Sequence, residues 1–301
     1  MATEFSPVGL RVLREVAQTG SFSAAALSLG YTQSAVSRQV AALEAAAGRR
    51  LFDRGRHGVT FTPAGARLLT SAIRVIDELD SARRELAGDE IAARPVRLGA
   101  FATAAAGLVP RALATLPRQL KVTLREATTP ALTRGLRAGT LDLAVLAQAP
   151  PFRPPDAETP ALELTPLSER ELAIAVPASH PFAGARGVEV AQLEGQVWVA
   201  SRSDTGDTLL GAWPGLAERP DVRYVVRDWL GKLQIVAAGL AITTVAPVIV
   251  DVLPVGVRVV AVRGEPQEMR RIVLARRPGK TDGPTARVVD ALIAAAGRPL
   301  S

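Results

Sequence analysis

Hydrophobic residues recur at helical spacing in three short stretches at the start of the chain. In the first stretch, Leu10 and Leu13 fall on one side of a helix that opens with the capping pair Ser6-Pro7. A tight turn at Gly30 separates the second stretch from the third, and two short helices joined in this way form a helix-turn-helix. The stretches begin after Ser6, Ser21 and Thr32 and end at Gly20, Gly30 and near Gly48. The pattern predicts a helix-turn-helix over about Phe22 to Ala41.

The third helix separates apolar from polar side chains. Val36, Val40 and Leu43 form an apolar stripe, while polar residues occupy the N-terminal half of the opposite side. Gln and Arg side chains there can make paired hydrogen bonds to base edges, and small residues let a helix approach the floor of the major groove. An ordinary solvated helix face is the alternative, but the preceding short helix and turn favour DNA contact. The candidate contacts are Thr32, Gln33, Ser34, Ser37 and Arg38.

The segment from Arg49 to Thr62 has the pattern of two short strands around a glycine-bounded tip, which predicts a wing beside the helices. Arg54 and Arg56 lie at the edge of this wing and are candidate phosphate contacts. We expect His57, also at the edge, to be a solvent-exposed turn residue. Five arginines and two carboxylates between Gln33 and His57 leave a local excess of three positive charges. Such a patch predicts salt-sensitive binding to the DNA backbone.

From Thr62 to Gly88 the apolar residues keep a heptad rhythm, with intervals of four and three residues. Charged residues flank this seam, which is narrow enough to pair with another helix. Packing against the chain's own domain is the alternative, and the spacing alone leaves it open. The seam consists of Leu68, Ala72, Val75, Leu79, Ala82 and Leu86.

Beyond a stretch rich in Pro, Gly and charge that ends at Pro95, short apolar runs alternate with helical segments. This alternation predicts parallel strands covered by helices on both faces. It occurs in two sets, so we expect two lobes with strands passing between them and a cleft at the carboxyl ends of the strands. Lobe I is predicted at about residues 95–165 and 265–301, and lobe II at about 166–264. The predicted fold class is α+β with several domains: a winged helix-turn-helix over 1–65, a linker helix over 62–88 and a two-lobed α/β domain over 89–301.

The composition excludes several kinds of metal-binding and catalytic chemistry. The chain has no cysteine and two histidines far apart among its 301 residues. Disulfides, Cys-ligated zinc and thiolate nucleophiles are therefore excluded, and we expect neither a metal nor a cofactor. The sequence contains no dinucleotide fingerprint, phosphate loop or nucleophile elbow, so we expect no catalytic site.

Membrane and export signals are also missing. The uncharged stretch from Leu233 to Val250 approaches the length of a membrane span, but Gly239 and Pro247 interrupt it. The first residues lack the basic and apolar regions of a signal peptide. We expect a cytoplasmic protein without a membrane partner. The 36 basic and 29 acidic residues give a net charge of +7, which is compatible with binding nucleic acid.

Four ordered motifs of the first 65 residues resemble the winged-helix segment of LysR-type transcriptional regulators. The length and the pattern of the C-terminal part agree with this family over the whole chain. One departure is Phe61, where the family commonly has Leu. The motifs are Ser21-Phe-Ser-Ala-Ala-Ala, Thr32-Gln-Ser-Ala-Val-Ser-Arg-Gln-Val-Ala-Ala-Leu-Glu, Leu51-Phe-Asp-Arg and Thr62-Pro-Ala-Gly.

The resemblance implies further features. The linker helix would pair two chains into a homodimer, and by family a homotetramer, which places two DNA-binding heads on a partly palindromic operator. The C-terminal module would be similar to type 2 periplasmic binding proteins and would hold a small-molecule effector between its lobes. The effector positions carried over by motif are Phe101, Ala102, Thr103, Thr128, Ala147, Ser201, Asp228, Trp229 and Thr243.

These positions leave the effector's chemistry open. Thr103, Thr128 and Ser201 suit helix capping as well as ligand contact. Asp228 beside Trp229 would suit a cationic or aromatic effector, while Arg202 would suit an anion. Ala241 stands where the family usually has Gly, so the assignment of Thr243 to the wall of the effector site rests on a weaker match.

Four functions can be considered for a chain with this combination of elements. The leading hypothesis is a transcriptional regulator whose operator binding or DNA bending responds to a small-molecule effector. An enzyme on the two-lobed module lacks recognisable catalytic motifs, and a solute-binding transport protein would not explain the winged helix. A constitutive nucleoid-type binder differs from the leading hypothesis only in having no effector.

Overall fold

Three capped helices and a two-stranded wing form the N-terminal part of the chain. The structure is a computed structural model that describes residues 4–55, 58–86, 94–149, 161–202, 209–264 and 268–297. As predicted, the hydroxyls of Ser6, Ser21 and Thr32 accept hydrogen bonds from backbone N–H groups of the first helical turns, at 3.0, 3.0 and 3.2 Å. The elements are α1 (Pro7–Thr19), α2 (Phe22–Leu29), α3 (Gln33–Ala47), β1 (Phe52–Gly55) and β2 (Gly58–Phe61).

A long helix, α4 (Pro63–Leu86), follows the wing directly. Its 24 residues make it about 36 Å long. The Thr62 hydroxyl accepts a hydrogen bond from the N–H of Gly65 at 3.1 Å, and a Cβ on Gly65 would lie 2.0 Å from the carbonyl oxygen of Leu51. Only glycine therefore lets α4 begin this close to the wing.

Lobe I is built on a five-stranded sheet in the order β4-β3-β5-β14-β6. The first three strands are parallel, and β14 runs antiparallel to both of its neighbours. Helices cover both faces, as the sequence predicts, with separate apolar cores on the two sides. The strands are β3 (Val96–Ala100), β4 (Val122–Glu126), β5 (Leu143–Gln148), β6 (Glu163–Glu171) and β14 (Met269–Arg276); the helices are α5 (Ala102–Ala106), α6 (Leu108–Leu113), α7 (Thr129–Arg137) and α9 (Gly283–Ala296).

Lobe II departs from the predicted parallel arrangement. It contains a mixed sheet in the order β12-β7-β13-β8 and a smaller one in the order β10-β9-β11, in which only β9 and β11 are parallel. A bridge between Trp198 and Ile242 joins the two sheets. The elements are β7 (Ala173–Pro177), β8 (Val188–Glu189), β9 (Val197–Arg202), β10 (Leu209–Leu210), β11 (Asp221–Val225), α8 (Trp229–Ala237), β12 (Thr243–Val245), β13 (Val257–Arg263) and two 3₁₀ helices (Val190–Leu193 and Pro247–Val252).

The crossing between the lobes falls later than the predicted boundary at residue 166. All of β6 pairs with β14 in the lobe I sheet, so the first crossing is at Leu172, between β6 and β7. The second crossing joins β13 to β14, and the N–H of Leu172 donates to the carbonyl of Glu268 at 2.6 Å. The two crossing segments are thus hydrogen-bonded to each other.

A charged cluster joins α4 to lobe I. Asp77 on α4 accepts a hydrogen bond from Arg94 at 2.7 Å and lies 3.6 Å from Arg97. Both arginines also contact Asp142, whose side chain is only 9% exposed. Burial would raise the pKa of Asp142, but the hydrogen bond and charge of Arg97 outweigh it and hold that pKa below its ordinary value.

Candidate nucleic-acid interface and effector site

The predicted DNA-contacting residues form one exposed side of α3. Val36, Val40 and Leu43 are buried against α1 and α2, which fixes the helix to its own domain. On the opposite side Thr32 is both cap and hydrogen-bond partner of the Ser34 hydroxyl, at 3.0 Å. Gln33, Ser34 and Arg38 are exposed, and Ser37 is half-buried. The helix can therefore present its N-terminal half to a groove without losing its core contacts.

Three aromatic rings hold the wing against the helices. Phe52 of β1 packs edge-on against Phe22 of α2 with centroids 5.5 Å apart, and it contacts Phe61 of β2 at 4.6 Å. The larger Phe61 thus takes part in a ring cluster where the family commonly has Leu. Arg54 pairs with Val59 in the strand register, whereas Arg56 and His57 lie outside the described residues.

Hydrogen bonds from side chains to the backbone also hold the segment between α3 and β1 in place. The carboxylate of Glu44 accepts from the N–H of Leu51 at 2.8 Å, and the Thr62 hydroxyl donates to the carbonyl of Arg50 at 2.8 Å. Arg50 and its neighbour Arg49 are exposed beside α3. We did not include these two arginines among the candidate contacts, although their charge and position before the wing were visible in the sequence.

The predicted seam of α4 divides between two sides of the helix. Ala72, 1% exposed, lies in the core of the chain's own N-terminal domain together with Leu69, Ile73 and Ile76, so its assignment to a dimer seam is corrected. Leu68 is half-buried against the same core. Val75, Leu79, Ala82 and Leu86 are exposed. Packing against the chain's own domain therefore holds for one side of the helix, and pairing with a second chain stays a prediction for the other side.

In lobe I, the candidate effector residues collect at one edge of the sheet. Phe101 precedes α5, Thr128 precedes α7 and Ala147 lies near the end of β5. Because β4, β3 and β5 are parallel neighbours, these positions share the edge formed by their carboxyl ends. Neither Phe101 nor Thr128 makes a side-chain capping bond, so the Thr128 hydroxyl is not used as a cap. Ala102 and Thr103 are the first two residues of α5, where Thr103 is half-buried.

In lobe II, two of the candidate side chains are occupied by contacts within the lobe. Asp228 caps α8, with its two oxygens accepting from the N–H groups of Leu230 and Gly231 at 3.1 and 2.6 Å. Thr243 is 1% exposed, and its hydroxyl lies within hydrogen-bond distance of the carbonyls of Val199 and Gly211. Asp228 therefore acts as a helix cap, and the charge of the effector stays open.

Lys232 is a residue that the sequence analysis missed. It lies in the first turn of α8, next to Trp229, and its ammonium group is 3.4 Å from the hydroxyl of Ser201 at the end of β9. Burial lowers the pKa of Lys232, and the charge of Asp228 opposes this only in part. The rarity of lysine in an arginine-rich chain was the available signal, since lysine occurs at three positions only.

Two cavities are described, and neither is lined by a predicted effector residue. The larger, about 440 Å³, lies between the N-terminal domain, α4 and lobe I. The smaller, about 30 Å³, lies beside α6. Within the described ranges, no helix is long and apolar enough to cross a membrane, and no group of His, Asp and Glu residues has the arrangement of a metal site.

A winged helix-turn-helix, a long linker helix and a two-lobed α/β module together define a class of DNA-binding proteins with a sensing domain. The family model for bacterial regulatory helix-turn-helix proteins of the LysR family matches residues 8–66, and the model for the LysR substrate binding domain matches residues 90–297. The chain belongs to the LysR family, whose members are transcriptional regulators and not enzymes.

Several curated relatives are similar in sequence. A probable hydrogen peroxide-inducible genes activator of Mycobacterium avium is 36% identical over 189 residues, covering 62% of this chain and 58% of the relative. The protein of the same name from Mycobacterium xenopi is 36% identical over 184 residues, covering 60% of this chain and 94% of the relative. An uncharacterized regulator of Shigella flexneri, YfeR, is 29% identical over 284 residues, covering 90% and 88%.

Solved structures share the fold over nearly the whole chain. A full-length OxyR variant of Pseudomonas aeruginosa has a TM-score of 0.57 at 23% identity and covers 97% of this chain and 98% of that one. Full-length CbnR in complex with its target DNA has a TM-score of 0.51 at 23% identity, with coverage of 97% and 99%. At these identities the likeness concerns the fold.

Proposed function

We propose that this protein is a sequence-specific DNA-binding transcriptional regulator whose operator binding or DNA bending is modulated by a small-molecule effector bound between its two C-terminal lobes. The observation that carries the proposal is α3, whose apolar side is buried in its own domain while Gln33, Ser34 and Arg38 are exposed near its N-terminus. A helix held in this way can enter the major groove. The chain would work in the cytoplasm, where its DNA is.

The proposed DNA interface combines base and phosphate contacts. Thr32, Gln33, Ser34, Ser37 and Arg38 would face the bases, and the wing arginines Arg54 and Arg56 the phosphates. The exposed Arg49 and Arg50 add positive charge between these two regions. Binding should therefore weaken steeply with salt.

The exposed apolar side of α4 supports a homodimer. The family resemblance further suggests that two such dimers form a homotetramer. Val75 and Leu79 are 45% and 37% exposed, and Phe5 and Val8 at the start of α1 are 44% and 45% exposed. Apolar side chains on a long helix favour a partner helix of a second chain. Two copies would then present two α3 helices to one operator.

The proposed effector site lies between the lobes, at the strand ends that carry Phe101, Thr128 and Ser201. Lobe I would comprise residues 94–171 and 268–297, and lobe II residues 173–264. Both lobes would follow a DNA-binding domain over 1–65 and a linker helix over 62–88. Lys232 adds a cation beside Ser201. Peroxide sensing through thiol oxidation is excluded, because the chain has no cysteine.

Substitution of Arg38 tests the DNA interface. We expect Arg38→Ala to weaken operator binding by about 5- to 150-fold, the range for losing one paired contact to a base, while binding to unrelated DNA changes little. The measurement is a fluorescence-anisotropy titration at fixed salt. Arg118→Ala removes another exposed arginine, from lobe I, and serves as the matched control. Equal affinity of the Arg38→Ala protein and the wild type would reject the proposed interface.

A further inference from the structure

The larger cavity lies where three parts of the chain meet. Its volume is about 440 Å³, and its apolar walls come from all three parts: Val16 of α1 and Phe61 of the wing, Leu69 of α4, and Leu162 of lobe I. None of the nine candidate effector residues lines it. Small-molecule sites have volumes of about 300–1,000 Å³, so this cavity would hold a compact ligand of one or two rings.

All charged residues in the described lining of the cavity are arginines. Arg134, Arg137 and Arg277 line the cavity, and the described lining contains no carboxylate. All three come from lobe I: two lie on α7, and Arg277 directly follows β14. An apolar space with cationic groups on one wall suits an amphipathic anion, because the rings can bury against the apolar walls while the acid group reaches the guanidinium groups.

Arg277 lacks a carboxylate partner among the described residues. Its guanidinium donates to the carbonyl of Leu136 at 2.9 Å. The nearby carboxylate of Asp142 is held by Arg94 and Arg97 instead. Burial lowers the pKa of Arg277, and the charge of Asp142 opposes this only in part. A bound anion would supply the missing partner.

Thr133 provides a second, independent observation. It is 5% exposed and lines the cavity one position before Arg134 on α7, and its hydroxyl has no hydrogen-bond partner among the described residues. A buried hydroxyl without a partner is uncommon and costs free energy. The oxygen is covered by the protein, so a ligand oxygen would reach it only once the side chain turns toward the cavity.

We propose that this cavity is a second ligand site, which binds a small organic acid with an aromatic or similarly apolar body. The site is separate from the effector site between the lobes. A ligand here would contact α1, the wing, α4 and lobe I together, so it would favour the arrangement in which these parts are packed. Arg134 already makes one such contact, donating to the carbonyl of Gln18 at 3.1 Å. DNA affinity and ligand affinity would then be coupled.

The test uses the full chain and two matched probes, 2-naphthoate and its uncharged analogue 2-naphthamide. Isothermal titration calorimetry should detect naphthoate binding to the wild type, and naphthamide should bind about tenfold more weakly or not at all, because it lacks the charge that the guanidinium groups would bind. The double variant Arg134→Gln/Arg137→Gln should lose about tenfold in naphthoate affinity, since hydrogen bonds to charged groups have that strength.

Two further variants separate this cavity from the site between the lobes. Thr70→Trp fills the cavity from an exposed position on α4 and leaves all charges in place, so it should abolish naphthoate binding. Lys232→Met alters the other site and should leave naphthoate affinity within about twofold, since distant sites act independently. Absent binding to the wild type, equal binding of the two probes, or loss of binding in Lys232→Met but not in Thr70→Trp would each overturn the proposal.

Discussion

At the scale of single residues, Asp142 holds two arginines at the junction of lobe I and α4. It accepts hydrogen bonds from the side chain and the N–H of Arg97, and it also contacts Arg94. Both arginines in turn contact Asp77 of α4. A buried carboxylate with these partners stabilises the start of lobe I against the linker helix.

Replacing Asp142 by Asn should destabilise the protein by about 1.5–3 kcal/mol at pH 7, the range for hydrogen bonds to charged groups. The folded-state pKa of Asp142 is lowered, so its contribution is present above the unfolded-state pKa and is lost as pH falls through the folded-state pKa. The difference in free energy of unfolding between wild type and variant should therefore shrink below about pH 4. Urea unfolding at several pH values measures it.

Asp221→Asn is the control for this substitution. Asp221 also pairs with an arginine, Arg223, but both side chains are exposed, so its loss should leave the free energy of unfolding nearly unchanged. A gap between wild type and Asp142→Asn that stays constant from pH 7 to pH 3 would contradict the role assigned to this carboxylate.

At the scale of elements, the sequence predicted the existence and type of the helices better than their partners. The caps at Ser6, Ser21 and Thr32 lie where predicted because capping is a local property. In contrast, the helical segment after β3 consists of two helices, α5 and α6, which break at Gly107. A Cβ there would lie 2.3 Å from the carbonyl oxygen of Val248, a close approach between distant segments that a local pattern cannot reveal.

The seam of α4 illustrates the same limit. Heptad spacing identifies apolar positions but does not say which chain covers them, and Ala72 is covered by the chain itself. The exposed residues of the seam, Val75, Leu79, Ala82 and Leu86, are the predicted dimer contact. Because the linker exposes Leu79 next to Val75, a charge at Leu79 would be buried without a partner in a helix pair.

Leu79→Glu should therefore dissociate the assembly. In sedimentation velocity the mass should fall from that of a dimer or larger assembly to the 31.6 kDa of one chain. Val255→Glu places the same charge on a fully exposed turn of lobe II, where Val255 is 99% exposed, and should leave the assembly intact. A Leu79→Glu protein with the wild-type mass would show that this side of α4 is not the dimer contact.

At the scale of the whole molecule, the net charge of +7 says less than its placement. The positive excess around α3 and the wing predicts the DNA interface, and the structure exposes Arg38, Arg49 and Arg50 there. The packing of the N-terminal domain on lobe I could not be predicted, because it rests on contacts between residues far apart in the chain. Arg134 and Gln18, for example, are 116 residues apart.

We propose that two copies of the chain recognise a defined DNA sequence through α3. The test is a DNA-protection footprint at physiological salt, on the DNA upstream of the chain's own gene and of the neighbouring gene that is transcribed in the opposite direction. Two protected half-sites should appear, related by a dyad and spaced by a multiple of about 10.5 base pairs, because paired heads lie on one face of the duplex. Protection that spreads evenly without a preferred sequence would contradict the claim and favour a constitutive nucleoid-type binder.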